Sequence, residues 1–249
     1  MSVFSKTGEW FSDSANWHGS TGIPSRLAVH LELTAIAVAV AVAIAIPIGL
    51  WLGHIGRGGV LAINISNVGR AIPTYALLVL LFVAMGVFHR TFETLIALVA
   101  FALPPLLTNT YVGVREVDPR AKEAARGMGM TGGQVLRRVE IPLATPLILD
   151  GLRVAVVQVV ATTTVAALIG VGGLGRFVVD GFNNNDPGQY TAGAILVAVL
   201  ALLFEGIFVV LQRFVDPVRR ARRGGGATPS GTSPTGTKPE VSLVDSAVD

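Results

Sequence analysis

The 249 residues include no cysteine, which excludes a disulfide scaffold and any thiolate-bound metal site. Charge is scarce: 14% of residues are Asp, Glu, Lys or Arg, against 51% hydrophobic, and the mean hydropathy is +0.63. Soluble domains carry about a quarter charged residues, so this composition excludes that class and points to a bilayer. Aromatic residues make up 7%, too few for a cage of converging rings around a cation, although Tyr75, Phe82 and Tyr111 offer ring faces. The histidines, His18, His30, His54 and His89, lack ligand spacing, and no metal site is expected. No Gly-x-x-x-x-Gly-Lys-Ser/Thr segment occurs, so the chain has no phosphate cradle of its own and binds no nucleotide cofactor. Gly170-Val-Gly172-Gly-Leu-Gly175 has dinucleotide-loop spacing but follows an apolar span rather than a strand; it reads as a glycine-rich helix exit that permits a bend or close packing. The first 25 residues lack a basic stretch followed by an apolar core, so no cleavable signal peptide is expected. No internal repeat of fixed period argues for an inverted-repeat transporter.

What the sequence does contain is a series of long apolar runs. Crossing about 30 Å of hydrocarbon takes about 20 helical residues. Leu33 to Gly53, Thr94 to Val114 and Val154 to Gly175 meet that length without a charge, and Tyr190 to Gln212 meets it with Glu205 alone. Ala71 to Phe88 extends back through Val60 with a single Arg70. The expected fold is an all-α polytopic membrane protein with about five transmembrane helices; splitting residues 60 to 88 at Pro73 gives the six-helix alternative. Arg115, Arg120, Lys122, Arg126, Arg137 and Arg138 form one basic cluster, and Arg213, Arg219, Arg220, Arg222 and Arg223 form another. The positive-inside rule makes both cytoplasmic, with no nucleic acid needed to explain them, and five crossings put the N-terminus outside and the C-terminus in the cytoplasm.

The domain reading follows. Residues 1–26, with Trp10, Phe11 and Trp17, form an extracytoplasmic segment, either lying at the interface or frayed. Residues 27–213 form the transmembrane domain, with a cytoplasmic loop at 115–145. Residues 214–249 form a basic tail whose Gly, Pro, Ser and Thr content from residue 224 on predicts disorder.

Polar groups inside the apolar runs mark candidate path residues. Asn67, Arg70 and Pro73 lie in a crossing too polar and too broken to face lipid all round. Tyr75, Tyr111 and Glu205 complete the set; Glu205 either lines a path or pairs with a cation such as Arg70. Asp150 and Arg153, three apart on one helix, are expected to neutralise each other.

Residues 118–142 are the one charged island. Asp118-Pro119 predicts a helix start, with the carboxylate capping free N–H groups and proline in the first turn. Gly127 and Gly129 interrupt that helix, and Thr131-Gly-Gly-Gln134 has capping-box spacing for a second, expected to stop at Pro142. Ala124 and Ala125 offer a low-relief surface between charges. A loop that only obeys the positive-inside rule needs no paired capping signals, so a docking element is expected.

Glu123-Ala124-Ala125, then Gly129, then Val139-Glu-Ile141-Pro142 resemble the EAA motif of type I ABC importer permeases, with two aliphatic replacements. Asn109 to Arg115 and Ala166 to Gly175 look like the osmoprotectant subgroup, which imports glycine betaine, carnitine, choline or proline. The resemblance covers roughly residues 27–213. It implies a permease subunit of the bacterial cytoplasmic membrane, not itself an enzyme. Its partners would be cytoplasmic ABC ATPase subunits that use the ATP, a second permease copy or paralogue, and an extracytoplasmic solute-binding protein. It further implies that Glu123, Ala124, Ala125 and Arg126 meet the ATPase, that Gly129 makes the turn and that Pro142 ends the loop. A permease for another small solute such as an amino acid is the nearest rival. A membrane-embedded enzyme is the distant one, for which the ionisable groups Arg70 and Glu205 are too scattered.

Overall fold

Small residues recur every fourth position along the first long apolar run: Ala37, Ala41, Ala45, Gly49 and Gly53. That spacing puts them on one helical face. In the structure, a computed structural model that describes residues 2–57, 59, 64, 72–85 and 90–215, all five are buried. The helix that carries them, α2 (Ile23–Ile55), follows a short α1 (Val3–Ser12) and a 3-10 turn at Ser14–Trp17. It is followed by α3 (Thr74–Met85), α4 (Arg90–Arg115), α5 (Pro119–Gly127), α6 (Gly132–Val135), α7 (Ile141–Ala166), α8 (Gly175–Asn183) and α9 (Pro187–Val215). No strand occurs among the described residues.

Lipid tails are as apolar as leucine, so membrane helices associate where small residues let backbones approach closely. α4 is held on both sides in that way. A Cβ on Gly49 of α2 would sit 2.7 Å from Thr110 Cβ, and one on Gly53 would sit 2.7 Å from Val114 Cβ. On its other side, a Cβ on Gly151 of α7 would sit 2.7 Å from Asn109 Cβ. The core therefore runs along α4, with Leu98, Ala102, Leu106 and Tyr111 against Leu33, Ala37 and Ala41 of α2 and Ala155 and Val159 of α7. α9 is the least buried long helix; Leu202, Leu203, Ile207 and Phe214 face outward, as lipid-facing positions should.

Four spans among the described residues are long and apolar enough to cross a membrane: Ile23–Ile55, Arg90–Arg115, Gly132–Ile169 and Pro187–Phe214. The fifth expected crossing is represented by the shorter α3, and Asn67 and Arg70 lie outside the described residues, as does the tail from 216 on. Pro73 stands immediately before α3, its carbonyl accepting the Leu77 N–H at 3.1 Å.

α2 begins ten residues before its uncharged run. Gly22 caps it, Pro24 occupies its first turn, and Arg26 is accommodated by Asp180 of α8 at 3.2 Å and by the Phe177 ring at 4.9 Å. α1 is a capped helix whose Trp10 and Phe11 pack around Ile23, Leu174 and Phe177.

Candidate functional site: the charged loop and the intramembrane cavity

The charged island folds as two capped helices about a glycine turn. The Asp118 carboxylate accepts from the Arg120 N–H at 2.9 Å and starts α5. At the other end the Gly129 N–H donates to the Arg126 carbonyl at 2.9 Å and the Met130 N–H to the Ala125 carbonyl at 3.2 Å. Gly129 holds φ at +81°, so this is a Schellman motif with glycine in the left-handed position. Gln134 then turns back to accept the Thr131 N–H at 2.9 Å and starts α6.

Two expectations are corrected. Pro142 does not end the second helix. A π turn at Leu136–Glu140, with the Ile141 N–H bonded five residues back to Leu136, carries α6 directly into α7. The slipped ladder puts Pro142 in the first turn of α7, where its missing donor is not required, and Gly132–Ile169 becomes one 38-residue span. The Ala124–Ala125 pair is also divided. Ala124 is exposed, as are Glu123, Arg126 and Met128, whereas Ala125 is 2% exposed and faces the loop interior.

What holds the loop was not visible in the spacing. Glu140 is 1% exposed, and its carboxylate lies 2.5 Å from Nδ1 of His54, at the end of α2, and 3.3 Å from Nζ of Lys122 in α5. Lys122 also donates to the Val114 carbonyl at the end of α4. The buried carboxylate thus ties α5 to the end of α2 directly and, through Lys122, to the end of α4. In the sequence the one signal is an acid, Glu140, close after Arg137 and Arg138.

On the flank of the bundle, α4, α7 and α9 line an open groove of about 640 Å³ with Asn109, Asp150, Arg153, Gln158 and Glu205 together with apolar groups. Arg153 grips Glu205 with two donors, one of them Nε at 2.8 Å, and Gln212 donates to Asp150 at 2.8 Å. The expected Asp150–Arg153 pair is therefore not the ion pair formed: the α7 guanidinium reaches across to the neighbouring helix, where a bidentate grip is available that its own helix cannot offer. Glu205 thus has a partner in Arg153; Arg70 lies outside the described residues. Of the other candidate path residues, Tyr111 is buried in the α2–α4 core with its hydroxyl against Gly59, and Tyr75 is exposed on α3; neither lines this groove.

The glycine-rich exit from α7 bends as its composition implied. Gly170 and Gly173 hold φ at +87° and +101°. Buried His30 of α2 fastens it: Nδ1 accepts the Leu174 N–H at 3.3 Å, which leaves Nε2 to donate to the Val160 carbonyl at 3.1 Å.

The family model described as binding-protein-dependent transport system inner membrane component matches residues 45–221. The carnitine transport permease protein OpuCB of Listeria monocytogenes is 41% identical over 165 residues, covering 66% of this chain and 75% of that protein. The glycine betaine/carnitine/choline transport system permease protein OpuCB of Bacillus subtilis is 34% identical over 188 residues, covering 76% and 86%. Among solved structures, an inward-facing MetNI methionine ABC transporter matches with a TM-score of 0.67 at 22% identity over 78% of this chain and 96% of that one, a likeness of fold. Match length and identity together show that this chain belongs to the binding-protein-dependent transport system inner membrane component family, as a multi-pass permease subunit of the cytoplasmic membrane.

Proposed function

We propose that this permease imports a small compatible solute of the glycine betaine, carnitine, choline or proline type, driven by ATP that a separate subunit hydrolyses. The substrate class rests on the relatives whose names carry carnitine, choline and glycine betaine. Coupling rests on the loop at 115–145: its exposed edge of Glu123, Ala124 and Arg126, with Gly129 at the turn, is the surface offered to a cytoplasmic ATPase. Ala125 and Pro142 serve that surface from within, by packing and by continuing the chain into α7. A second permease and an extracytoplasmic binding protein complete the importer, with the N-terminus outside, the C-terminus in the cytoplasm and five crossings between.

The observation that carries the coupling reading is the anchorage of the loop by Glu140. A loop that only solvates the membrane surface has no need of a buried carboxylate that ties it to the end of α2 and holds the lysine bound to the end of α4. The absence of natural cysteine makes a clean test. With the ATPase present, Ala124→Cys should cross-link to it through a short bifunctional reagent and Ala125→Cys should not. Absence of cross-linking from Ala124→Cys and Glu123→Cys alike overturns the docking assignment.

A further inference from the structure

At the end of the bundle opposite the charged loop, α2, α4 and the glycine-rich exit from α7 line a half-open pocket of about 350 Å³ whose charged and polar side chains Glu32, Arg90 and Thr91 are exposed. Glu32 enters it from α2, and Arg90 and Thr91 from the first turn of α4; Gly170, Val171 and Gly172 close it. Glu32 and Arg90 carry opposite charges on one pocket yet lie beyond the 4.0 Å of an ion pair, and neither has another ionic or hydrogen-bond partner among the described residues.

The surroundings shape this pocket. Arg90 lies over the Phe82 ring at 5.8 Å and against Gly170, where any Cβ would collide with the guanidinium. A Cβ on Gly172 would sit 3.0 Å from Val29 Cγ1. Side chains at either glycine would fill the pocket, so the glycine-rich segment serves here as a floor. Further along the same helices, Thr34 and Glu93 are buried with side-chain oxygens that lack a hydrogen-bond partner among the described residues.

Two opposite charges that share one small pocket without pairing with each other complement a small molecule bearing both charges. We propose that this pocket is a receiving site for a zwitterionic solute, with its carboxylate on Arg90 and its quaternary ammonium towards Glu32. Guanidinium suits the first role because it offers two parallel donors to a carboxylate. The volume is near the lower end of the roughly 300–1,000 Å³ of small-molecule pockets, as a solute of this size requires. The inference rests on the osmoprotectant reading above and adds a place and a discriminating residue to it.

Choline provides the comparison, since it has the ammonium and lacks the carboxylate. The complete importer, with ATPase and binding protein, is reconstituted in proteoliposomes, and initial uptake of radiolabelled glycine betaine and choline is measured. Arg90→Gln should lower glycine betaine uptake by roughly tenfold or more, as loss of a charge-assisted contact does, while choline uptake holds or rises. Glu32→Gln should lower both, and Arg90→Lys should restore part of the glycine betaine rate, which a variant that merely misfolds cannot show. Equal loss of both solutes in Arg90→Gln, the pattern of a weakened protein contact, overturns this inference alone. Wild-type uptake of neither solute overturns the osmoprotectant reading and this site with it.

Discussion

Glu140 and His54 meet at 2.5 Å although 86 positions separate them, and the contact fastens the charged loop to the end of the first long helix. Removing one member of a buried pair leaves the other without its counterpart, which costs about 3–5 kcal/mol in soluble proteins. Glu140→Ala should therefore lower the unfolding temperature of the detergent-solubilised permease and abolish solute uptake. Glu140→Gln keeps the volume and one acceptor and should retain more stability than transport, which a thermal melt paired with an uptake assay will separate.

Gly129 and Gly127 make a paired test two residues apart. Neither has a neighbour within 4 Å of a built Cβ, so space does not distinguish them; conformation does. Gly129 has φ of +81°, where a side chain costs roughly 1–2 kcal/mol, so Gly129→Val should destabilise the turn and reduce uptake. Gly127 lies at the end of α5 in helical conformation, and Gly127→Ala should be neutral or stabilise by up to about 1 kcal/mol. Denaturation midpoints of the two variants check the contrast.

Helix contacts in the core predict a third outcome. Gly49→Leu must displace Thr110, whose Cβ lies 2.7 Å from the first added atom, and overpacking of this kind costs typically 1–3 kcal/mol. The expected result is a lower melting temperature and reduced yield of folded permease. Gly206→Leu on α9, where nothing lies within 4 Å, should leave both unchanged.

Arg153 and Glu205 predict a fourth. Arg153→Ala takes the guanidinium from the Glu205 carboxylate on a membrane helix, and Glu205→Ala leaves the guanidinium with the neutral Gln212 oxygen at 3.4 Å in place of a carboxylate, so each should reduce uptake. The exchanged variant, Arg153→Glu with Glu205→Arg, should recover more transport than either single reversal if the pair shapes the groove. A double-mutant uptake series measures that coupling.

These residues also mark how far the sequence could be read. Local signals were legible because their physics is local: the Asp118 cap, the Gly129 turn and the Gln134 return bond involve neighbours within five positions. The long apolar runs were legible by length. The partners of Glu140 and Arg153 were not, since each pairs across helices whose relative rotation no spacing rule supplies. Pro142 misled for a related reason: a proline stop is a local rule, and the π turn before it removed the need for the missing donor. The start of α2 at Ile23 was hidden because Arg26 and Glu32 break the uncharged run, and the partner of Arg26, Asp180, comes from a distant helix.

ATP-driven import of a compatible solute is tested most directly by uptake of radiolabelled glycine betaine into proteoliposomes holding the permease, its ATPase and its binding protein. Saturable, ATP-dependent uptake that unlabelled carnitine and choline suppress, that methionine and histidine leave unchanged, and that Glu123→Ala abolishes is the predicted result. Uptake suppressed by amino acids instead, or unaffected by Glu123→Ala, would contradict it.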